Sequence, residues 1–316
     1  MRVWIIGAGG LFGSALTRTA QAAGDRVFTS NQTPWHDDRA ALASLSADAR
    51  FFFAGLNSGD AWALAWAAGR VTTSSTHSEA DAERAVFEKF LQSLVAEREN
   101  LSDPTSGSFL LASSAGGIYA GSSNPPFTSA TAAAPLSPYG ELKLAQEELV
   151  TNSLGSGFTP VIARIANLYG PGQDVIKLQG LISRLALSAV TREPLTMFVP
   201  LDTLRDYIFV DDAAAIARHW MTVPDAQHPI RLIASGVAAS LGQVIGMVQD
   251  VAHTRIPIAY GVHPSAAGQA RDMRLIPDQD DWTRHFTAMQ LPAGMKLTYQ
   301  DILTRSQDAA VTPAVR

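Results

Sequence analysis

"RVWIIGAGGLFG", residues 2–13, decides how the chain is read. Residues 2–6 form an apolar, β-branched run stopped by glycine, which predicts a buried strand. Residues 11–23 (LFGSALTRTAQAA) then carry helical spacing, closed by Gly24. Between the two lie glycines in a G-x-x-G-x-x-G pattern: Gly7, Gly10 and Gly13. The alternative G-x-G-x-x-G spacing fails, because its last position falls on Phe12. A glycine turn between a first strand and a first helix lets the backbone bend sharply and a pyrophosphate approach. The helix N-terminus adds free N–H groups and the positive end of its dipole. Gly7, Gly10, Leu11, Phe12 and Gly13 are therefore the expected phosphate-side contacts of a dinucleotide. The competing reading is a tight turn without a ligand.

Outward from this unit, strand and helix patterns alternate. Residues 26–30 (RVFTS) read as a second strand, 37–46 as a short helix, and 50–54 (RFFFA) as another buried strand. Residues 78–99 predict a long amphipathic helix with Ser78 as its cap. Strand 109–112 (FLLA), a helix over about 139–152 and strand 159–165 (TPVIARI) follow. Apolar strands alternating with helices predict an α/β fold, a Rossmann-type doubly wound parallel sheet covered on both faces. After about residue 170 prolines at 171, 194, 200, 224 and 229 break the rhythm. The expected division is a dinucleotide-binding domain over 1–170, with returns to the sheet near 205–235, and a smaller C-terminal substrate-binding lobe over 171–316.

Composition narrows the class. Of 316 residues, 47% are apolar and 17% charged, with a formal net charge of −5, which argues against a general nucleic-acid binder. No cysteine is present, so disulfides, thiolate catalysis and cysteine-based zinc sites are excluded, and a cytoplasmic location is the expectation. The seven histidines are scattered without metal-ligand spacing, so no metal is expected. No apolar stretch reaches 18 residues, so no membrane span is expected.

"SPYGELK", 137–143, places Tyr139 four residues before Lys143, on one face of a helix. A free phenol, with a pKa of about 10, is a poor base at neutral pH, and a neighbouring ammonium favours its ionised form. The pair suits acid–base exchange between a carbinol and a carbonyl, although an ordinary surface Tyr and Lys would look the same. "LLASSAGGIYAG", 110–121, ends an apolar strand in two serines, where ligands of a parallel sheet bind. A hydroxyl there can stabilise charge developing on a substrate oxygen, and it can also simply form a turn. Ser113 and Ser114 both qualify. Beyond the second strand, "TSNQ" (29–32) offers neither an acid for a ribose diol nor a base for a 2′-phosphate. Ser30 or Asn31 could bond either, so NAD and NADP both stay open.

With "RIANLYGPG" (164–172) and "RDYIFVDDAA" (205–214), these motifs resemble the extended short-chain dehydrogenase/reductase family, and within it the NAD-dependent sugar-nucleotide epimerase/dehydratase branch. The resemblance runs in order over about residues 1–220. It implies a triad of Ser114, Tyr139 and Lys143, with Lys143 also on the nicotinamide ribose. It further implies Asn167 near the substrate sugar or phosphates, Arg205 on the nucleotide diphosphate, and a homodimer by default. The helices at 78–99 and 139 offer apolar faces for a dimer seam or for the core. Asp211 and Asp212 are expected to cap the helix after them. Ala54 and Gly55, at the end of the run read as a strand, are expected on the cofactor.

Departures from the pattern are also legible. The serine motif carries one extra glycine, a compressed third strand is expected near 33–35, and Arg271 and Arg274 are weak candidates for phosphate contact. The implied activity is an NAD(P)-dependent nucleotide-sugar epimerase using Tyr139 as acid and base through a transient keto sugar. A keto-sugar or small-carbonyl reductase with the same triad is the alternative. A dehydratase is disfavoured because no acidic pair stands beside the tyrosine, and a non-catalytic cofactor sensor because the Tyr–Lys pair is intact.

Overall fold

The computed structural model describes residues 1–30, 33–101, 106–176, 179–263, 266 and 268–311. The first half runs β1 (Arg2–Ile6), α1 (Leu11–Ala22), β2 (Arg26–Thr29), α2 (Asp38–Ala54), β3 (Trp62–Trp66), α3 (His77–Glu99), β4 (Gly107–Ser114), the single turn α4 (Ala115–Ile118), α5 (Pro138–Ser153) and β5 (Phe158–Ile165). The second half runs β6 (Asn167–Tyr169), α6 (Leu181–Thr191), β7 (Leu195–Met197), β8 (Leu204–Phe209), α7 (Val210–Thr222), β9 (Ile230–Ile233), β10 (Ala238–Ser240), α8 (Leu241–Ala252), β11 (Ile258–Tyr260), β12 (Asp272–Met273) and α9 (Leu291–Val311).

Six parallel strands form the main sheet in the order β2-β1-β3-β4-β5-β9. Alternation along β1 sorts its side chains to two cores. Val3 and Ile5 join Phe12, Leu16 and the α7 alanines on one face. Trp4 and Ile6 join Leu45, Phe52, Phe87, Phe90 and Val150 from α2, α3 and α5 on the other. The Rossmann-type reading therefore stands: a parallel sheet with helices on both faces.

The run RFFFA is not the strand that its composition predicts. It is the last turn of α2, where Ala41, Leu45, Ala49, Phe52 and Phe53 are buried at helical spacing and Phe51 lies exposed. Asp37 caps this helix by accepting from Arg39 N and Ala40 N, and the helix is much longer than the expected 37–46. The strand that enters the sheet beside β1 is WALAW, 62–66, all five residues buried. No strand forms at 33–35, and β2 is the edge of the sheet among the described residues. Trp35 there packs edge-on against Trp66 instead. α3 is capped by Thr76, in a capping box with Glu79, rather than by Ser78. Asp211 and Asp212 sit inside the first turn of α7 and do not cap it: Asp211 pairs with Arg18, and Asp212 accepts from Met289 N. Both still favour that positive helix end.

The remaining strands build a second sheet, with β8 between β10 and β12 and also paired to β6, and a small β7–β11 pair. Helices α6, α8 and α9 close a separate apolar core around Leu185, Val244 and Met295. α7 and β9 return the chain to the main sheet.

Candidate active site

The glycine turn follows β1. Gly7 adopts φ +88°, a left-handed conformation open to glycine at little cost. A β-carbon on Gly13 would sit 2.1 Å from the Gly7 carbonyl oxygen, so only glycine lets α1 start this close to the strand. Gly10 is the N-cap of α1 and supplies no side-chain cap, and the first turn holds no acid. The first intrahelical acceptor, Gly10 O, serves Ser14 N. The N–H groups of Leu11, Phe12 and Gly13 are thus left to a ligand. A phosphate-bearing dinucleotide fits this cradle, which has uncapped donors and a positive dipole end.

Against this turn lies the segment after β3. The β-carbon position on Gly7 falls 2.6 Å from Ala68 N and 2.7 Å from the Ala67 carbonyl carbon. The backbones of 7 and 67–68 are therefore in direct contact. The β-carbon position on the next glycine, Gly69, is 3.9 Å from Lys143 Nζ. Residues 67–69 thus lie between the glycine turn and the lysine, at the carboxyl ends of β1, β3 and β4.

α5 presents Tyr139, Lys143 and Glu147 at successive i, i+4 positions, hence on one face. Ser137 caps the helix by accepting from Gly140 N, and Pro138 takes its first position. The Lys143 ammonium lies 5.9 Å from the centre of the Tyr139 ring. It donates to Ala112 O at 3.3 Å and to Gln146 Oε1 at 3.1 Å. An ammonium has three N–H donors, so one remains beyond these two.

The extra glycine of the serine motif has a structural reason. A β-carbon on Gly117 would lie 3.0 Å from Tyr139 Cε1, and one on Gly140 would lie 2.3 Å from the Gly117 carbonyl oxygen. These two glycines let the tyrosine ring and its helix close onto the serine turn. Ser114 caps that turn by accepting from Gly117 N at 3.1 Å. The hydroxyl hydrogen of Ser114 stays available for donation.

Ser113 is committed elsewhere. It is buried and donates to Glu147 Oε1 at 2.5 Å. The Glu147 carboxylate is gripped by Arg164, Nε to both oxygens at 3.0 and 3.1 Å and Nη2 to Oε2 at 2.6 Å. Arg164 Nη1 continues to the Tyr119 hydroxyl, which donates to Thr128 O. Burial alone would lower the Arg164 pKa, but the bonds and charge of Glu147 hold it above the usual guanidinium value. Burial pushes the Tyr119 phenol up, against the pull of Arg164. This network fastens α5 to β4 and β5 directly below the cleft. Between the two rival serines, the geometry favours Ser114.

Other expected residues lie elsewhere. Ala54 and Gly55 end α2, where Arg2 from the start of β1 donates to Gly55 O. That is the opposite end of β1 from the glycine turn, so neither can line the cofactor cleft. Their expected place on the cofactor falls with the strand that was to carry them. Ser30 Oγ accepts from Trp4 Nε1 at 3.0 Å and also bonds Asp48, on the α2 side of the sheet. Asn31 lies outside the described residues.

Asn167 donates to Asp206 O at 2.9 Å. Arg205, half-buried, donates to Leu204 O, Ala270 O and Gln269 Oε1. Burial lowers its pKa. Asn167 thus sits on the β6–β8 pairing and Arg205 where β8 meets the segment leading into β12, whereas Arg271 pairs with Asp202 and Arg274 with Asp272. Sequence reasoning missed Ala67–Gly69, Glu83, Gln146 and the Glu147–Arg164 pair. A five-residue apolar run before Ala-Ala-Gly was the available signal for the first. The others carry no local signal, because distant elements bring them together.

A glycine turn, a serine turn and a Tyr–Lys helix thus gather at the carboxyl end of one parallel sheet. Residues 3–233 match the NAD dependent epimerase/dehydratase family, and the chain belongs to it. A curated relative, dTDP-6-deoxy-L-talose 4-dehydrogenase (NAD(P)(+)) of Kitasatospora kifunensis, is 26% identical over 162 residues. That match spans 48% of this chain and half the length of the relative.

Among solved structures, MoeE5 in complex with UDP-glucose and NAD superposes with a TM-score of 0.78 at 21% identity, over 97% of this chain and 100% of that one. The UDP-glucose 4-epimerase of Thermus thermophilus in complex with NAD gives 0.77 at 20% identity, over 96% and 99%. At these identities the likeness establishes the shared fold. No helix among the described residues is long and apolar enough to cross a membrane, and no group of three metal-ligating side chains occurs among them.

Proposed function

We propose that this protein is an NAD(P)-dependent nucleotide-sugar epimerase in which Tyr139 is the acid and base, Ser114 the hydroxyl donor and Lys143 the charge that assists the phenol. The observation that carries the reading is that Gly13, Gly7, Ala68, Gly69, Lys143, Tyr139 and the Ser114 turn are successive neighbours at the carboxyl ends of the strands. When bound, a nicotinamide would supply a reversible hydride acceptor. The N–H groups of Leu11, Phe12 and Gly13 would hold its pyrophosphate, and the remaining donor of Lys143 would reach the ribose.

Tyr139 takes the proton of a sugar hydroxyl as that carbon is oxidised, and returns it after the keto sugar has turned. Ser114 donates to the carbonyl oxygen, where charge collects in the transition state. Asn167 on β6 and Arg205 on β8 would bind the sugar or diphosphate part of the substrate from the second sheet. The fork of Arg205 suits a diphosphate and is not neutralised by a directly bonded carboxylate among the described residues.

A second reading, a keto-sugar reductase or dehydrogenase, is favoured by the name of the curated relative. The same triad serves it, and the fate of the cofactor separates the two. The purified chain is offered UDP-, dTDP- and GDP-sugars with and without added NAD(P)H. An isomer formed without net consumption of cofactor supports the epimerase, and stoichiometric loss of NAD(P)H supports the reductase. Binding of nucleotide without turnover of any sugar defeats both.

The net negative charge and the C-terminal lobe agree with a small-molecule substrate in a water-filled compartment, with the cytoplasm as the proposed location. A homodimer is the proposed assembly. The apolar residues of α3 offered for its seam, among them Phe87, Leu91 and Leu94, are in the core instead, so the seam would have to form on the polar outer faces of α3 and α5.

A further inference from the structure

Glu83 is a carboxylate that nothing in the chemistry above uses, on a helix remote in sequence from Lys143. It is 6% exposed. Its Oε2 accepts from Arg70 N at 2.6 Å and Val71 N at 3.0 Å, so it holds the turn that follows Ala67–Gly69. Its Oε1 lies 3.3 Å from the β-carbon position of Gly69, the same point that is 3.9 Å from Lys143 Nζ. The carboxylate and the ammonium are therefore no more than about 7 Å apart, both close to Gly69.

Two further observations mark this as a built environment. Gln146, fully buried, accepts from Lys143 through Oε1, while its Nε2 has no partner among the described residues. Trp66 Nε1, also buried and on the wall of a small cavity shared with Gly69 and Glu83, has none either. A charge buried on α3 is costly unless it is compensated. Two backbone donors supply part of that compensation, and the Lys143 ammonium is the nearby cation across Gly69.

We infer that Glu83 is the positioning residue of Lys143, coupling the cofactor-side turn at 67–71 to the lysine so that its third donor points into the cleft. This rests on the functional reading for the role of Lys143, but not for the pairing itself. A β-carbon at Gly69 would press on the Glu83 carboxylate and fill the space toward the Lys143 ammonium. Glu83 acts through Lys143 and touches no substrate.

A double-mutant cycle tests it. NADH affinity is measured for the wild type, Glu83→Gln, Lys143→Met and the double variant. Glu83→Gln keeps an oxygen for the two backbone donors and removes the charge. Its loss is expected to be about fivefold or more with Lys143 present and under about twofold without it, because residues that act through one another couple where independent ones add. Equal losses in both backgrounds overturn the inference and leave Glu83 as a loop anchor.

The same cycle is run on urea midpoints, where the two shifts are expected to combine to less than their sum; additive shifts overturn the pairing. A wild type that binds no NADH defeats the functional reading, and the urea cycle then still decides the pairing. Gly69→Ala provides a variant that leaves both charges intact. It is expected to weaken NADH binding only when Lys143 is present, and a loss independent of Lys143 counts against the inference.

Discussion

Replacing Arg164 by methionine would isolate the charge on which the floor of the cleft is built. Arg164 and Glu147 are 4% and 3% exposed and share three bonds of 2.6 to 3.1 Å. In Arg164→Met the Glu147 carboxylate keeps only Ser113 as a side-chain donor among the described residues, in a site with almost no access to water. Removing one partner of a buried ion pair costs about 3–5 kcal/mol, most of it the cost of the charge left behind. The Tyr119 hydroxyl loses its donor as well, at about 1 kcal/mol. Urea unfolding followed by tryptophan fluorescence reads this loss. The double variant Glu147→Gln with Arg164→Met removes both charges and should recover more than half of it. A single-variant loss below about 1 kcal/mol, or a double variant no better than Arg164→Met, would show that the pair is not the clamp described above.

Further expectations follow from individual distances. Gly13→Ala places a methyl carbon 2.1 Å from the Gly7 carbonyl oxygen, so calorimetry should find cofactor binding lost while the sheet remains folded by circular dichroism. Tyr139→Phe should keep cofactor affinity and thermal midpoint but lose about 10²-fold or more in turnover. Ser114→Ala should lose turnover, whereas Ser113→Ala should chiefly lose stability; a kinetic defect confined to Ser113→Ala would reverse the assignment. Burial, opposed by bonds from Ser235 and Gly236, raises Asp206 to a pKa of about 6. The folded state then binds this proton more tightly than the unfolded one. The stability Asp206 contributes is fully present below about pH 4 and is lost as pH rises through about 6, by roughly 2–3 kcal/mol. Asp206→Asn should flatten that window in unfolding titrations, and an unchanged pH dependence would contradict the shift.

The glycine turn and the Tyr–Lys helix were legible because each is a local pattern with a fixed structural context. The run RFFFA shows where such patterns fail. Three consecutive phenylalanines satisfy a buried strand and the end of a helix equally well, and periodicity over five residues cannot separate them. Only the longer spacing of Ala41, Leu45, Ala49 and Phe52 reveals the helix, and accepting it moves the strand to 62–66. The error carried Ala54 and Gly55 into the expected site and left Ala67–Gly69 out. The choice between Ser113 and Ser114 was illegible for another reason. Adjacent strand residues face opposite ways, and which way each faces depends on Glu147 and Arg164, 34 and 51 residues downstream of Ser113. Thr76 in place of Ser78 as a cap is a shift of two residues, within the ordinary blur of helix ends.

The most direct test loads the wild type and Tyr139→Phe with NAD+ or NADP+, adds each nucleotide sugar in turn, and watches for bound reduced nicotinamide within a single turnover. The phenol-based account predicts that at least one nucleotide sugar reduces the cofactor on the wild type, and that the phenylalanine variant, equally loaded, does so far more slowly. Equal rates in the two proteins would contradict it, as would a fully loaded wild type that no nucleotide sugar reduces.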